Sequence, residues 1–154
     1  MIQIRKAIPS DAPAISALIR DLVKHSIIDN YEEASKKFWE SISEDSERKY
    51  IEDSSYKYLV AVDNDTLVGC IVMRDNKHLA HLFVAKESQG KGLASKLWHE
   101  VKSQVELEGY DGGHDGGYTV NSSLEAIKIY EHFGFHMVGE LKREDGIVFQ
   151  PMEM

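Results

Sequence analysis

The chain has 154 residues, 42% of them hydrophobic, and 26 acidic side chains against 18 Lys and Arg, for a formal net charge of −8. That length supports one substantial core, so a single domain over residues 1–154 is expected. The acidic excess excludes the usual electrostatic footprint of a nucleic-acid binder, and no apolar run approaches the roughly 18–20 residues of a membrane-spanning helix. The opening Met1-Ile2-Gln3-Ile4-Arg5 lacks the basic-then-apolar order of a secretory signal, which points to a cytoplasmic protein. The lone Cys70 sits in an apolar run with no second cysteine for an intramolecular disulfide, and reads as a small core residue.

Ile2, Ile4 and Ile8 keep to even positions, the period of a half-buried strand that Pro9 closes. Ser10 is placed to cap a helix whose Ile15, Leu18, Ile19, Leu22 and Val23 form one apolar stripe. A shorter helix is predicted from Glu33 to Ile42, burying Phe38, Trp39 and Ile42, and the polar stretch Ser43 to Ser55 gives only a weak pattern. The acidic residues between Glu40 and Asp53 would favour a cationic acceptor if they faced a site, but a solvated face is the plainer reading. Three β-type runs follow, Tyr56–Val62, Leu67–Arg74 and His78–Val84, separated by Asn64-Asp65 and Asp75-Asn76, which predicts an antiparallel meander. Leu93, Leu97, Trp98, Val101 and Val105 mark the buried face of a helix that Gly109 terminates. Tyr118–Val120 reads as a short strand, and Ser122-Ser123-Leu124-Glu125 has the form of a capping box for a helix from Ser123 to Phe133. His136–Leu141 and Ile147–Met152, joined at Glu144-Asp145-Gly146, read as a hairpin. The glycine-rich segment Tyr110–Gly117 reads as a surface loop; its Asp111, His114 and Asp115 invite a metal site, which the entropy of ordering so free a backbone disfavours.

Gln89-Gly90-Lys91-Gly92-Leu93-Ala94 joins a strand to a helix. Two glycines allow a tight bend, and the free N–H groups of the helix's first turn then converge on a volume suited to an anion, with Lys91 at its rim. A P-loop needs Ser or Thr directly after Gly-Lys, but Gly92 follows Lys91. A Rossmann turn fits poorly too, because five residues separate Val84 from Gly90 and the surrounding strands form a meander.

At these residues the chain resembles the GNAT acetyltransferase superfamily. Gln89 to Ala94 matches its Gln/Arg-x-x-Gly-x-Gly/Ala signature, and His81–Ser88 is similar to its fourth strand and the link that follows. Val120-Asn121-Ser122-Ser123, Ala126 and Tyr130-Glu131-His132-Phe133-Gly134-Phe135 are similar to its fifth strand and the helix after it. The resemblance implies a mixed α/β fold: a V-shaped sheet of about seven strands flanked by four helices, in the order β-α-α-β-β-β-α-β-α-β-β. It also implies acetyl-CoA as cofactor, with main chain near Leu82, Phe83 and Val84 pairing with the pantetheine arm. The N–H groups of Gln89, Gly90, Lys91, Gly92, Leu93, Ala94 and Ser95 would then hold the pyrophosphate, and Asn121 would hydrogen-bond the cofactor.

Direct attack by an amine needs an uncharged nucleophile, a donor for the developing oxyanion and a proton for the departing thiolate. Tyr130 matches the position of the family's thiolate-protonating tyrosine. Many relatives carry Glu or His where Ala80 stands, which leaves His78, on the same strand face, as a base acting through water. His81 lies on the opposite face unless a bulge exchanges the two. The implied acceptor is an amine of a small molecule or peptide. The competing readings are a catalytically silent acyl-CoA-binding module and, more remotely, a nicotinamide-dependent oxidoreductase. Exposed strand edges are compatible with a homodimer.

Overall fold

Residues 1–26, 31–109 and 117–154 are described by the computed structural model. Alternating side chains build four consecutive antiparallel neighbours: β1 (Ile2–Lys6), β2 (Tyr56–Asp63), β3 (Thr66–Arg74) and β4 (His78–Val84). The two tight turns place Asn64, Asp65, Asp75 and Asn76 at positive φ, which Asn and Asp tolerate better than other non-glycine residues and which suits the twist of a hairpin. The first strand ends at Lys6, short of the predicted Ile8, and Ile8 is 51% exposed. β4 then pairs in parallel with β5 (Thr119–Ser122), but only through His78 with Thr119 and Leu79 with Val120. Beyond Leu79 the two strands part, and the sheet has its V.

The second arm of the V is antiparallel. β5 pairs with β8 (Ile147–Glu153), which pairs in turn with β6 (His136–Met137) and β7 (Lys142–Glu144). The sheet has eight strands, one more than expected: the run His136–Leu141 stays a strand only at His136–Met137, before Gly139 at a φ of +68°, and a further strand forms at Lys142–Glu144. Its order is β1-β2-β3-β4-β5-β8-β6.

Five α-helices lie among the described residues: α1 (Ala12–Lys24), α2 (Lys36–Ser41), α3 (Glu44–Glu52), α4 (Leu93–Leu107) and α5 (Ile127–Phe133). The expected stripe of α4 is buried in full and packs with Leu59, Ile71, Met73 and Leu79 on one sheet face. Ile15, Ile19 and Val23 of α1 join Val60, Cys70 and Val72 on the other, so Cys70 is a core residue. Ser10 does not cap α1; it lies in a 3-10 turn, Pro9–Asp11. Asp11 precedes the helix, and its carboxylate accepts from Arg5 at 2.9 and 3.0 Å and from the Ile8 N–H at 2.8 Å.

The fifth helix is α3, in the stretch that had shown only a weak pattern. Ser43 caps it, its hydroxyl accepting from the Ser46 N–H at 3.2 Å, and three acidic residues occupy its first turn, where the helix dipole favours them. The predicted helix from Glu33 to Ile42 shortens to α2, capped by Ser35, whose hydroxyl accepts from the Phe38 N–H at 3.2 Å. Among the described residues no helix is long and apolar enough to cross a membrane.

Candidate active site

Where β4 leaves β5, a cleft of about 790 Å³ opens. One wall is the end of β4, Leu82, Phe83 and Val84, and its floor runs on through Gln89, Gly90 and Gly92 to Leu93, Ala94 and Ser95 at the start of α4. Tyr130 and Phe133 of α5 form the opposite wall, while Asp21, His25, Ser26 and Tyr31 close one end. The structure therefore gathers most of the residues singled out from the sequence. Lys91, Asn121 and His78 are absent from the lining; Lys91 and Asn121 are exposed.

The bend is built by φ angles of +77° at Gly90 and +82° at Gly92, the left-handed region in which a side chain is strained. Gly92 caps α4: its carbonyl accepts from the Lys96 N–H at 3.1 Å, and the N–H groups of Leu93, Ala94 and Ser95, in the first turn, have no partner within the helix. Gln89 braces the bend, its side-chain amide donating to the Val84 carbonyl at 2.9 Å.

Tyr130 is buried against Phe133 and Phe135, with ring centroids 6.1 and 5.8 Å away. Burial, then the neighbouring Tyr31, pushes its phenol well above the usual range, so it keeps its proton throughout the working pH range. His78, the base candidate from the sequence, lies outside the cleft lining. It stands at the closed end of the V, its Nδ1 2.8 Å from Thr119 Oγ1, and burial aided by Arg74 lowers its pKa to about 4.

A bulge does occur in β4. Val72 faces His81 and Met73 faces Leu79, leaving Ala80 as the extra residue, so Ala80, His81 and Phe83 share the side that packs on α1 and α3. His81 Nε2 lies 3.2 Å from the carboxylate of Glu47, a residue that sequence reasoning left on a solvated face and that is fully buried. Glu47, Tyr50 and Ile51 do fall at helical spacing, but a carboxylate within such a stripe is not read as an inward position.

The expected capping box of α5 does not form. The helix starts later, after Ala126; the Ser122 hydroxyl donates to the Ser123 carbonyl at 2.7 Å, and Glu125 accepts from the Ser26 hydroxyl across the cleft at 3.1 Å. The turn between β7 and β8 docks beside Tyr31. The Ser35 N–H donates to the Asp145 carbonyl at 2.8 Å, Arg143 pairs with Glu33 at 3.0 Å, and a Cβ on Gly146 would fall 1.8 Å from the Glu33 carbonyl oxygen.

The chain that builds this split mixed sheet also matches, in sequence, a family model described as "Acetyltransferase (GNAT) domain" over residues 26–154. The chain belongs to the GNAT acetyltransferases. No curated protein matches it. Among solved structures, this GNAT domain is similar to a PaiA N-acetyltransferase from Thermoplasma acidophilum in complex with coenzyme A. The two are 20% identical over 99% of this chain and 98% of that one, with a TM-score of 0.73. It is also similar to YncA, a putative acetyltransferase from Salmonella typhimurium with acetyl-CoA (17% identity, 100% and 93% coverage, TM-score 0.74). A GCN5-related N-acetyltransferase structure from Rhodopseudomonas palustris superposes with a TM-score of 0.79 at 19% identity, over 97% of this chain and 92% of that one. Among the described residues of this GNAT domain, no group of three or more His, Cys, Asp or Glu is placed to hold a metal. Asp111, His114 and Asp115 lie outside the described residues.

Proposed function

We propose that this chain transfers an acetyl group from acetyl-CoA to an amine of a small molecule or peptide by direct attack. The observation that carries the reading is the glycine bend: the first-turn N–H groups of α4 open into a cleft that begins where β4 and β5 separate. The residues present fit the cofactor. The N–H groups from Gly92 to Ser95 and the positive end of the helix dipole would hold its diphosphate, and the main chain of Leu82 and Phe83 would pair with its amide-bearing arm. The Val84 carbonyl, at the end of that run, also accepts from the Gln89 side-chain amide.

Acetyl-CoA supplies the acyl group as a thioester. In the transfer a C–N bond forms, the C–S bond breaks, the amine gives up one proton and the sulfur takes one up. The buried Tyr130 would donate to that sulfur from its protonated hydroxyl. His78 has no part in this reading, and the amine proton leaves to solvent through the open cleft. Calorimetry with acetyl-CoA, followed by a thiol-release screen of polyamines, aminoglycosides, amino acids and peptide N-termini, tests it. Binding with turnover of at least one amine is expected. Tight binding with no turnover across the panel would favour a silent module, and no binding would remove the reading altogether.

The docked turn yields a second expectation, because it holds residues 33–35 beside Tyr31 at one end of the cleft. In Gly146→Ala the added methyl collides with the backbone of Glu33 at a φ of +78°, so the turn must lift away. The acceptor's KM should rise about tenfold while the Kd of acetyl-CoA stays at the wild-type value. Equal changes in both constants would show that the turn does not act on the acceptor end.

A further inference from the structure

Glu47 has no exposed surface and meets polar groups from two strands. The Tyr58 hydroxyl of β2 donates to its Oε1 at 2.5 Å, and His81 Nε2 of β4 lies 3.2 Å from its Oε2. The other ring nitrogen, His81 Nδ1, is 2.9 Å from the carbonyl of Ala80, the extra residue of the bulge. The imidazole is thus held between two oxygen acceptors. A carbonyl can only accept, so Nδ1 must carry a hydrogen, and the contact between Nε2 and the carboxylate needs a proton as well. Glu47 and His81 therefore share that proton, with the ring as imidazolium facing the carboxylate. If it leaves, one lone pair must face either the carboxylate or the Ala80 carbonyl, and one of the two contacts opens.

The Ala80 contact has a functional neighbour. The bulge sets the orientation of the β4 backbone just before Leu82, Phe83 and Val84, which line the cleft, and the His81 ring packs edge-on against Phe83 at 5.6 Å. We propose that Glu47 and His81 are positioning residues whose shared proton fixes the bulged backbone of β4, so that acetyl-CoA binds more weakly once the proton is lost. This rests on the reading above, in which that backbone takes the cofactor's arm.

The other titratable groups packed around the pair are Tyr50 from α3, Tyr58 from β2 and Cys70 from β3. Burial pushes all three upward, so they stay protonated in the neutral range and leave the shared proton as the one that titrates. Burial also opposes charge on His81, but the hydrogen bond and charge of Glu47, helped by the Ala80 carbonyl, outweigh it and hold the imidazole above its usual range. With a raised folded value, the stabilisation is complete below about pH 6.5 and is lost as the pH rises through the folded pKa of His81.

The test is acetyl-CoA affinity by calorimetry from pH 7 to 9.5, above the second ionisation of a phosphate at about pH 6. The same pH series is followed by ¹⁵N NMR of the His81 ring. In the wild type the Kd should rise by about tenfold or more, with the midpoint at which the ring loses its proton. Glu47→Gln, whose side-chain amide can donate to Nε2 without a titrating proton while Nδ1 still donates to the Ala80 carbonyl, should bind at pH 7 about as tightly as the wild type and keep that affinity, with a flat profile, to pH 9.5. A wild-type Kd that stays constant while the ring titrates overturns the proposal without need of any variant, as does a ring already singly protonated at pH 7. A wild type that fails to bind at pH 7 is a different result, and removes the cofactor reading together with this one.

Discussion

Gly92→Val is expected to abolish detectable acetyl-CoA binding, a loss of at least about 100-fold, while the chain stays folded. The backbone at Gly92 has a φ of +82°, and nothing lies within 4 Å of the position a Cβ would take. A side chain there meets no protein atom, so its penalty on folding is backbone strain of about 1–3 kcal/mol. That open space is also the mouth of the first turn of α4, where the N–H groups of Leu93, Ala94 and Ser95 face the cleft. A β-branched side chain fills it and drives the residue out of the left-handed region, turning those donors away. Gly109→Val is the control, because Gly109 has a φ of +94° and similarly open surroundings at the far end of the same helix, outside the cleft. Both variants should lose similar melting temperature, and only Gly92→Val should lose the heat of binding. Unaltered affinity in Gly92→Val would mean the bend is not where the diphosphate sits.

The contrast between Gly92 and Glu47 marks what was legible in the chain. Gly92 belongs to a local device, a bend and a helix start within six residues, and local devices can be read from neighbours in sequence. The stripe of α4 and the turns at Asn64-Asp65 and Asp75-Asn76 were readable for the same reason. Glu47 is inward because Tyr58 and His81, from two different strands, meet its carboxylate, and no window of sequence contains that pairing. The false capping box at Ser122 has the same origin: Glu125 is drawn to Ser26, 99 residues away, and the helix begins one turn later. His81 was put on the wrong face by strict alternation, which the bulge at Ala80 breaks, and a bulge leaves no mark in composition. The departure of β4 from β5 came only through the family resemblance, since it depends on which two residues of each strand stay paired.

Tyr130→Phe is expected to lower kcat by about 100-fold and to leave the Kd of acetyl-CoA within about twofold. The size follows from the environment. Burial raises the phenol above an ordinary thiol, near pKa 8.5, so complete transfer to the sulfur is uphill and the main gain is a hydrogen bond to charge as it develops there. That places the loss at the lower end of what a general acid contributes. The ring's contacts with Phe133 and Phe135 survive the substitution, so stability should change by no more than about 1 kcal/mol, or roughly 2–4 °C in melting temperature. Because the wild-type phenol stays protonated across the neutral range, the wild-type profile of kcat should show no loss that begins near pH 7 and is absent from the variant. Such a loss would assign the proton to another group, and an unchanged kcat would reduce Tyr130 to a packing residue between α5 and the sheet.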